Sequence, residues 1–309
     1  MGNITKPEPS GVLIVKKHAG VTSHDIVGMI RRLYGTRKVG HAGTLDPMAT
    51  GVLVVLIGRA AKAAEYLQKD RKIYRAVLRL GIETDTEDIT GKPLSSVSPE
   101  SIPDADTVSE VCRRFVGETE QIPPMYSALK VGGRKLVDLA REGKTVERAA
   151  RRITVYSLDV SPLALPFDYT LTVECSGGTY IRTLCADIGR MLGCGGVMAA
   201  LERICACGYN IDMAHTIDDI SAMDEEERLS LLLPVESLFD DLPAVCLPPF
   251  YERLCRTGCV IYQKKLGTSF NAGVRVRICN KEGHFFALGE VGENEEGSAI
   301  KAVKQFELI

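Results

Sequence analysis

Gly40-His41-Ala42-Gly43-Thr44-Leu45-Asp46-Pro47-Met48-Ala49-Thr50-Gly51 places one carboxylate, Asp46, in a loop built from three glycines and a proline. An apolar run, residues 52–57, follows at once. Glycine reaches backbone shapes closed to other residues, and proline pushes the residue before it towards an extended conformation. A carboxylate held this rigidly at the mouth of a buried strand has what a nucleophile requires. An isolated Asp-Pro reads more simply as a turn. The rest of the chain has to decide between the two.

Working outward, 12–15 reads as a short strand. Thr22-Ser23 offers an N-cap to a helix that carries Ile26, Ile30 and Leu33 on one face and stops at Gly35. Beyond the loop come the strand 52–57 and a helix expected over 59–68. Residues 72–80 alternate, with Tyr74, Ala76, Leu78 and Leu80 on one side and Arg75 and Arg79 on the other. Tyr74 therefore lies on the buried face of a strand, where a core aromatic is the commoner finding. Residues 82–107 read as an acidic loop and 108–116 as a short helix. The prolines of Gln121-Ile122-Pro123-Pro124-Met125-Tyr126 exclude interior helix. From 129 to 152 the chain is basic and mixed in period, an exposed insertion with a helix at 136–142. A strand over 167–175 turns through Ser176-Gly177-Gly178 into a helix whose apolar stripe is Ile181, Leu184 or Cys185, Ile188 and Leu192. Arg182 falls at the start of that helix, off the stripe. A cation there is either solvated or, being poorly placed against the helix dipole, answers to a specific partner.

At 309 residues, 45% hydrophobic and 25% charged, the composition is that of a soluble globular protein of two domains or one with an appendage. The apolar runs are too short to span a bilayer, and residues 1–10 lack the apolar core of a signal peptide, so the expected compartment is the cytoplasm. Ten cysteines occur without a C-x-x-C pair. Small buried hydrophobes are the better reading, with a zinc site as the alternative. Charge is blocked along the chain. Residues 1–40 carry seven basic and two acidic groups, and 124–154 eight and three. Residues 82–120 carry three and ten, and 218–241 one and nine. Two separated basic blocks can converge on a polyanion such as RNA. The second acidic block ends in Asp240-Asp241-Leu242-Pro243, a boundary that divides the chain into 1–241 and a small mostly-β module, 242–309.

No phosphate-binding P-loop, dinucleotide fingerprint, nucleophile elbow or H-E-x-x-H occurs. What remains is one carboxylate with no partner acid, a poor fit to glycosidases.

Here the motifs reach a family. Gly43-Thr44-Leu45-Asp46-Pro47-x-Ala49-x-Gly51-x-Leu53, followed by Gly58-x-Ala60-x-Lys62, resembles the signature of the TruB family of tRNA pseudouridine-55 synthases. Lys72-x-Tyr74, Gly81-x-x-Thr84-Asp85-Thr86-x-Asp88-x-x-Gly91 and Gln121-x-Pro123-Pro124-x-Tyr126-Ser127-Ala128-x-Lys130 follow in family order. Gly178-Thr179-Tyr180-Ile181-Arg182-Thr183-Leu184 and Leu201-x-Arg203 complete the series. The resemblance covers about residues 10–240, and the module after it loosely resembles a PUA domain.

The resemblance implies a mixed α/β pseudouridine synthase fold with a central, largely antiparallel sheet. It implies Asp46 as the nucleophile on a flipped-out uridine, attacking either sugar or base ring. Tyr74 would stack on the uracil and serve in proton transfer, and Arg182 would pair with Asp46 and favour its ionised form. Leu201 would pack on the base and His41 assist flipping. Lys16, Arg203 and Lys130 would contribute to substrate binding, and the insertion 125–152 would close on RNA as a thumb. The implied partner is the tRNA T stem-loop, met by a monomer with no guide RNA, cofactor, metal or membrane. Two departures stand out: Ala61 where threonine is common, and Glu202 where a basic residue is common, which would weaken local RNA contact. The alternatives are an RNA-binding or RNA-folding protein, and a guide-RNA-dependent synthase subunit.

Overall fold

The computed structural model describes residues 8–67, 71–294 and 297–307. Strand β1 (Gly11–Lys17) leads to helix α1 (Ser23–Leu33), whose first turn is closed by a reciprocal cap between Thr22 and Asp25. Gly35, at φ 62°, takes the chain off the helix towards β2 (Val39–Ala42) and β3 (Thr50–Ile57). The helix expected at 59–68 is instead a 3-10 helix, Gly58–Tyr66; position 68 lies outside the described residues. Three residues per turn stack Ala60 on Ala63, and both are fully buried. Strand β4 (Lys72–Leu80) alternates as its sequence demands, with Tyr74, Ala76, Leu78 and Leu80 inward.

The stretch expected as an acidic loop holds a hairpin of β5 (Ile82–Thr84) and β6 (Pro93–Ser96). Helix α2 (Ala105–Arg113) starts three residues earlier than expected, because Asp104 caps it through the Thr107 amide. After β7 (Gly117–Gln121), Gly132 and Gly133, both at positive φ, turn β8 (Lys130–Val131) into β9 (Arg134–Lys135). Helix α3 (Leu136–Arg141) buries Leu136 and Leu139 within an otherwise exposed basic segment. Next come β10 (Arg151–Pro162), β11 (Asp168–Cys175), α4 (Ile181–Met191), β12 (Gly196–Ala206) and β13 (Tyr209–Asn210). The acidic block forms α5 (Ile217–Ala222) and α6 (Glu225–Ser230), each opened by its own capping box.

The large sheet runs β1-β3-β12-β4-β11-β10-β7, with β2 on β3 and β13 on β12. Its pairings are antiparallel except for β3 with β12, which touch in parallel at Thr50–Glu202 and Gly51–Arg203. The mixed fold with a largely antiparallel central sheet is therefore as expected. Helices α2 and α4 cover the β4–β11 face, joining Tyr74, Leu78, Leu171, Leu184 and Ile188 in one core that also takes in Leu45, Ala49 and Leu201.

The last part of the chain is a second sheet, β14-β16-β17-β18-β15, formed by β14 (Ala244–Cys246), β15 (Ile261–Tyr262), β16 (Arg275–Cys279), β17 (Phe285–Asn294) and β18 (Gly297–Gln305). Helix α7 (Pro249–Arg256) packs on it. Phe239, Phe285 and Phe306 form a ring cluster with centroids 5.5–5.9 Å apart. That cluster shares a core with Val54 and Leu56 and so joins the two sheets. Six cysteines, Cys112, Cys175, Cys185, Cys194, Cys255 and Cys279, are buried. No helix among the described residues is long and apolar enough to cross a membrane.

Candidate active site

Asp46 is held by backbone anchors on three sides. Ser23, in the first turn of α1, accepts from the Leu45 amide at 2.9 Å, and its hydroxyl lies 3.1 Å from the Leu45 carbonyl. Lys17, fully buried at the end of β1, donates to the carbonyls of Pro47 (3.2 Å) and Ala49 (2.6 Å). Arg203, also fully buried, donates to Val52 (2.7 Å) and Gly43 (3.0 Å) carbonyls. The Ala49 amide closes the turn on the Asp46 carbonyl at 3.0 Å. The turn and the rigid loop are thus one object.

Arg182 leaves the first turn of α4 inward, only 6% exposed, and meets Asp46 side-on. Its Nε lies 2.9 Å from Asp46 Oδ2 and its Nη2 3.4 Å from Oδ1. A two-point contact of this kind fixes orientation as well as charge. Nη2 also donates to the Tyr126 carbonyl (2.8 Å) and Nη1 to that of Thr86 (3.2 Å). Behind it stands a second carboxylate, the buried Asp88, at 3.6 Å from Nη1. Asp88 is itself fixed by the Thr86 and Thr90 hydroxyls and the Thr90 amide. Arg182 is therefore shared between two acids, and the solvated reading of it is wrong.

Tyr74 and Leu201 are buried on adjacent strands, and the register sets Tyr74 opposite Arg203. Two irregularities in the β12 pairing, between Met198 and Ala200 and between Arg203 and Cys205, bracket Leu201 and Arg203. Asp46, Tyr74, Arg182, Leu201 and Arg203 all line one cleft of about 570 Å³, with Tyr126, Tyr180, Lys72 and Arg151 around them. His41, Lys16 and Lys130 lie outside its lining. His41 sits on β2 with a buried Nδ1 that has no hydrogen-bond partner among the described residues, while Lys16 and Lys130 are exposed. A larger opening of about 1020 Å³ between the sheets gathers none of the candidate residues.

Sequence reasoning missed Lys17 and Asp88. Asp88 was visible inside its motif, but nothing in the spacing said that it would back Arg182. Lys17 had no signal beyond its basic neighbour.

Burial pushes the Asp46 carboxyl above the ordinary aspartate range, and Asp88 adds to this; Arg182 and Lys17 pull the other way without prevailing. The ion pair does favour the ionised form, as the sequence suggested, but desolvation is the larger effect. Burial also raises the Tyr74 phenol, against a hydrogen bond from Arg203, and lowers Lys17 to about 8. The arrangement can present one oriented carboxylate, backed by a guanidinium, to a flat group laid on an aromatic ring.

Comparison with known proteins follows the same lines. Residues 31–181 match the family model of the TruB family pseudouridylate synthase N-terminal domain, and 182–240 that of the tRNA pseudouridylate synthase B C-terminal domain. The tRNA pseudouridine synthase B of Alkaliphilus oremlandii is 41% identical over 300 residues, covering 96% of this chain and 98% of its own. That of Syntrophotalea carbinolica is 47% identical over 240 residues, 78% of each chain. Among solved structures, a chain of the Cbf5–Nop10–Gar1 complex superposes with a TM-score of 0.76 at 25% identity, covering 98% of this chain and 88% of that one.

Proposed function

Because this chain belongs to the TruB family of pseudouridylate synthases, we propose that its cleft isomerises the T-loop uridine of tRNA at position 55, with Asp46 as nucleophile. The protein is a tRNA pseudouridine synthase, an isomerase. The bond from C1′ of the ribose to N1 of uracil breaks, and a bond from C1′ to C5 forms. The C5 proton leaves and N1 ends protonated, so no electrons or atoms are imported.

The observation that carries the reading is the two-point contact between Asp46 and Arg182 in a cleft floored by Tyr74. Arg182 keeps the carboxylate aimed while the uracil is free to rotate. Tyr74 stacks on the flipped base and serves the transfer of the C5 proton. Leu201 packs against the base, and Arg203 holds the loop. The target lies within a folded RNA loop, so extrusion costs a few kcal/mol, which stacking in the cleft offsets. The basic segment 125–152 closes on the stem as a thumb, its cations meeting phosphate and so positioning rather than reading sequence.

We further assign residues 1–241 to a catalytic domain and 242–309 to a PUA-like RNA-binding domain. His41 assists flipping, and Lys16 and Lys130 meet the RNA outside the cleft. The enzyme works as a cytoplasmic monomer without a guide RNA. Its fold is shared with Cbf5 of the Cbf5–Nop10–Gar1 complex, so the test must omit any guide. Purified protein is incubated with an unmodified tRNA transcript alone, and pseudouridine is mapped. Product at the T-loop uridine supports the reading; product elsewhere, or no product without a guide, overturns it.

A further inference from the structure

Glu87 occupies the turn between β5 and β6 with φ at 63°, a left-handed backbone that crowds a Cβ and is usually left to glycine. The residues on either side of it converge on one atom. Nη1 of Arg182 donates to the Thr86 carbonyl at 3.2 Å and lies 3.6 Å from Asp88 Oδ2. A left-handed residue stands between the two groups that share this nitrogen. Its own side chain is not spent on solvent. It reaches α4, where the hydroxyl of Thr183, the residue next to Arg182, donates to Glu87 Oε2 at 2.5 Å. The backbone of the turn is stapled as well: Met198 of β12 donates to the Glu87 carbonyl at 3.1 Å, and Ile89 to that of Met198 at 3.0 Å. The charged groups facing the Glu87 carboxyl are Arg182, Asp187 and Arg190, and burial raises its pKa.

We infer that Glu87 is a positioning residue: its tie to Thr183 fixes the Thr86 and Asp88 acceptors against Arg182, and through Arg182 it fixes Asp46. The inference rests on the roles of Asp46 and Arg182 proposed above. A turn that needed only its left-handed backbone would be served as well or better by glycine, which makes Glu87→Gly the discriminating variant. It relieves the backbone while removing the tie.

The experiment compares wild type with Glu87→Gly, Glu87→Gln, Thr183→Val and the Glu87→Gly/Thr183→Val double variant. Pseudouridine formation is followed by tritium release from C5-labelled uridine in tRNA. In parallel, the Asp46 carboxyl is titrated by 13C NMR, a readout that needs no turnover. Glu87→Gly should lower kcat about tenfold, leave KM within about twofold, and keep its melting temperature. Glu87→Gln, which retains an acceptor oxygen, should keep at least about half of the wild-type kcat. Thr183→Val should match Glu87→Gly, and the double variant should be no worse than either, because both break one contact. The Asp46 titration should move up by about one pH unit in Glu87→Gly as Arg182 loosens. A Glu87→Gly enzyme with wild-type kcat, losses of the two single variants that multiply, or an Asp46 titration unmoved by the substitution would each overturn the assignment. Wild-type protein that makes no pseudouridine would count against the proposed function, and the Asp46 titration would still decide the role of Glu87.

Discussion

In the half of the molecule built on the large sheet, Lys17, Lys72, Asp88, Asp168, Arg182 and Arg203 are buried, whereas among the described residues from 244 onward the buried polar side chain is Gln263, at the start of a short helix beside the second sheet. The second core is Val245, Leu247, Val276, Ile278, Phe286, Val291 and Ile300. The contrast follows from the chemistry of burial. A buried ion pair adds little to stability, because desolvation offsets most of its attraction, but removing one partner is costly. An apolar core gains with each methylene removed from water. The large sheet therefore carries charges that stability alone would not select, and all of them but Asp168, which pairs with Arg79, gather around the Asp46 loop and its cleft.

That contrast can be broken by experiment. Asp46→Asn should lower pseudouridine formation by about 10⁴-fold or more, with tRNA binding in a filter assay intact; ordinary product yield would end the nucleophile assignment. Arg182→Met should cost about 10²–10³ in kcat and also lower the melting temperature, since Asp46 and Asp88 are left facing each other. A loss confined to KM would mean that Arg182 binds RNA instead of aiming Asp46.

The pH profile of kcat should be bounded on both sides. Because the Asp46 carboxyl is raised, activity should fall as pH drops through a value above the roughly 3.9 of a free aspartate. Lys17, lowered to about 8, is charged below that pH and neutral above it. Above pH 8 the neutral amine has two N–H bonds for three carbonyls, those of His18, Pro47 and Ala49, so it should release one of them, loosen the loop and lower kcat. Lys17→Met should lack this upper limb and be slow at every pH. A wild-type profile flat from pH 7 to 10 would show that the Lys17 charge does not hold the loop.

The apolar half should respond in the opposite sense. Ile278→Val should cost about 1 kcal/mol by chemical denaturation and leave kcat within error. The smallest effect belongs to the surface. Arg75→Ala breaks a half-exposed contact to Glu202 at 3.4 Å and should change stability by less than about 1 kcal/mol. A larger loss at Arg75 than at Ile278 would reverse the ranking of the two halves.

The strands that can be read from sequence are those with one wet face. β4 is exposed at Arg75 and buried at Tyr74 and Ala76, so its alternation gives the register without further help. β1 is buried on both faces up to its end, and there period carries no information. That is why Lys16 and Lys17 could not be told apart in sequence, although one is exposed and the other buried under the loop. The Asp46 loop and the residues joining it in the cleft were legible through their motifs; the carbonyls that Arg203 and Lys17 hold were not, because a backbone acceptor has no letter of its own. The start of α2 was missed because a cap depends on one side chain, Asp104, whereas the helical pattern depends on several.

Gly51 sits at φ 99° where β3 and β12 touch in parallel, and a Cβ built there would lie 2.2 Å from the Arg203 carbonyl oxygen. No rotamer relieves that contact, since both partners are main chain. In the landscape of single substitutions this position is a point with cliffs on every side: any other amino acid must push apart the strand that ends the Asp46 loop and the strand that carries Arg203. Drift in sequence can pass through the exposed basic segment 125–152, but it has no path through residue 51.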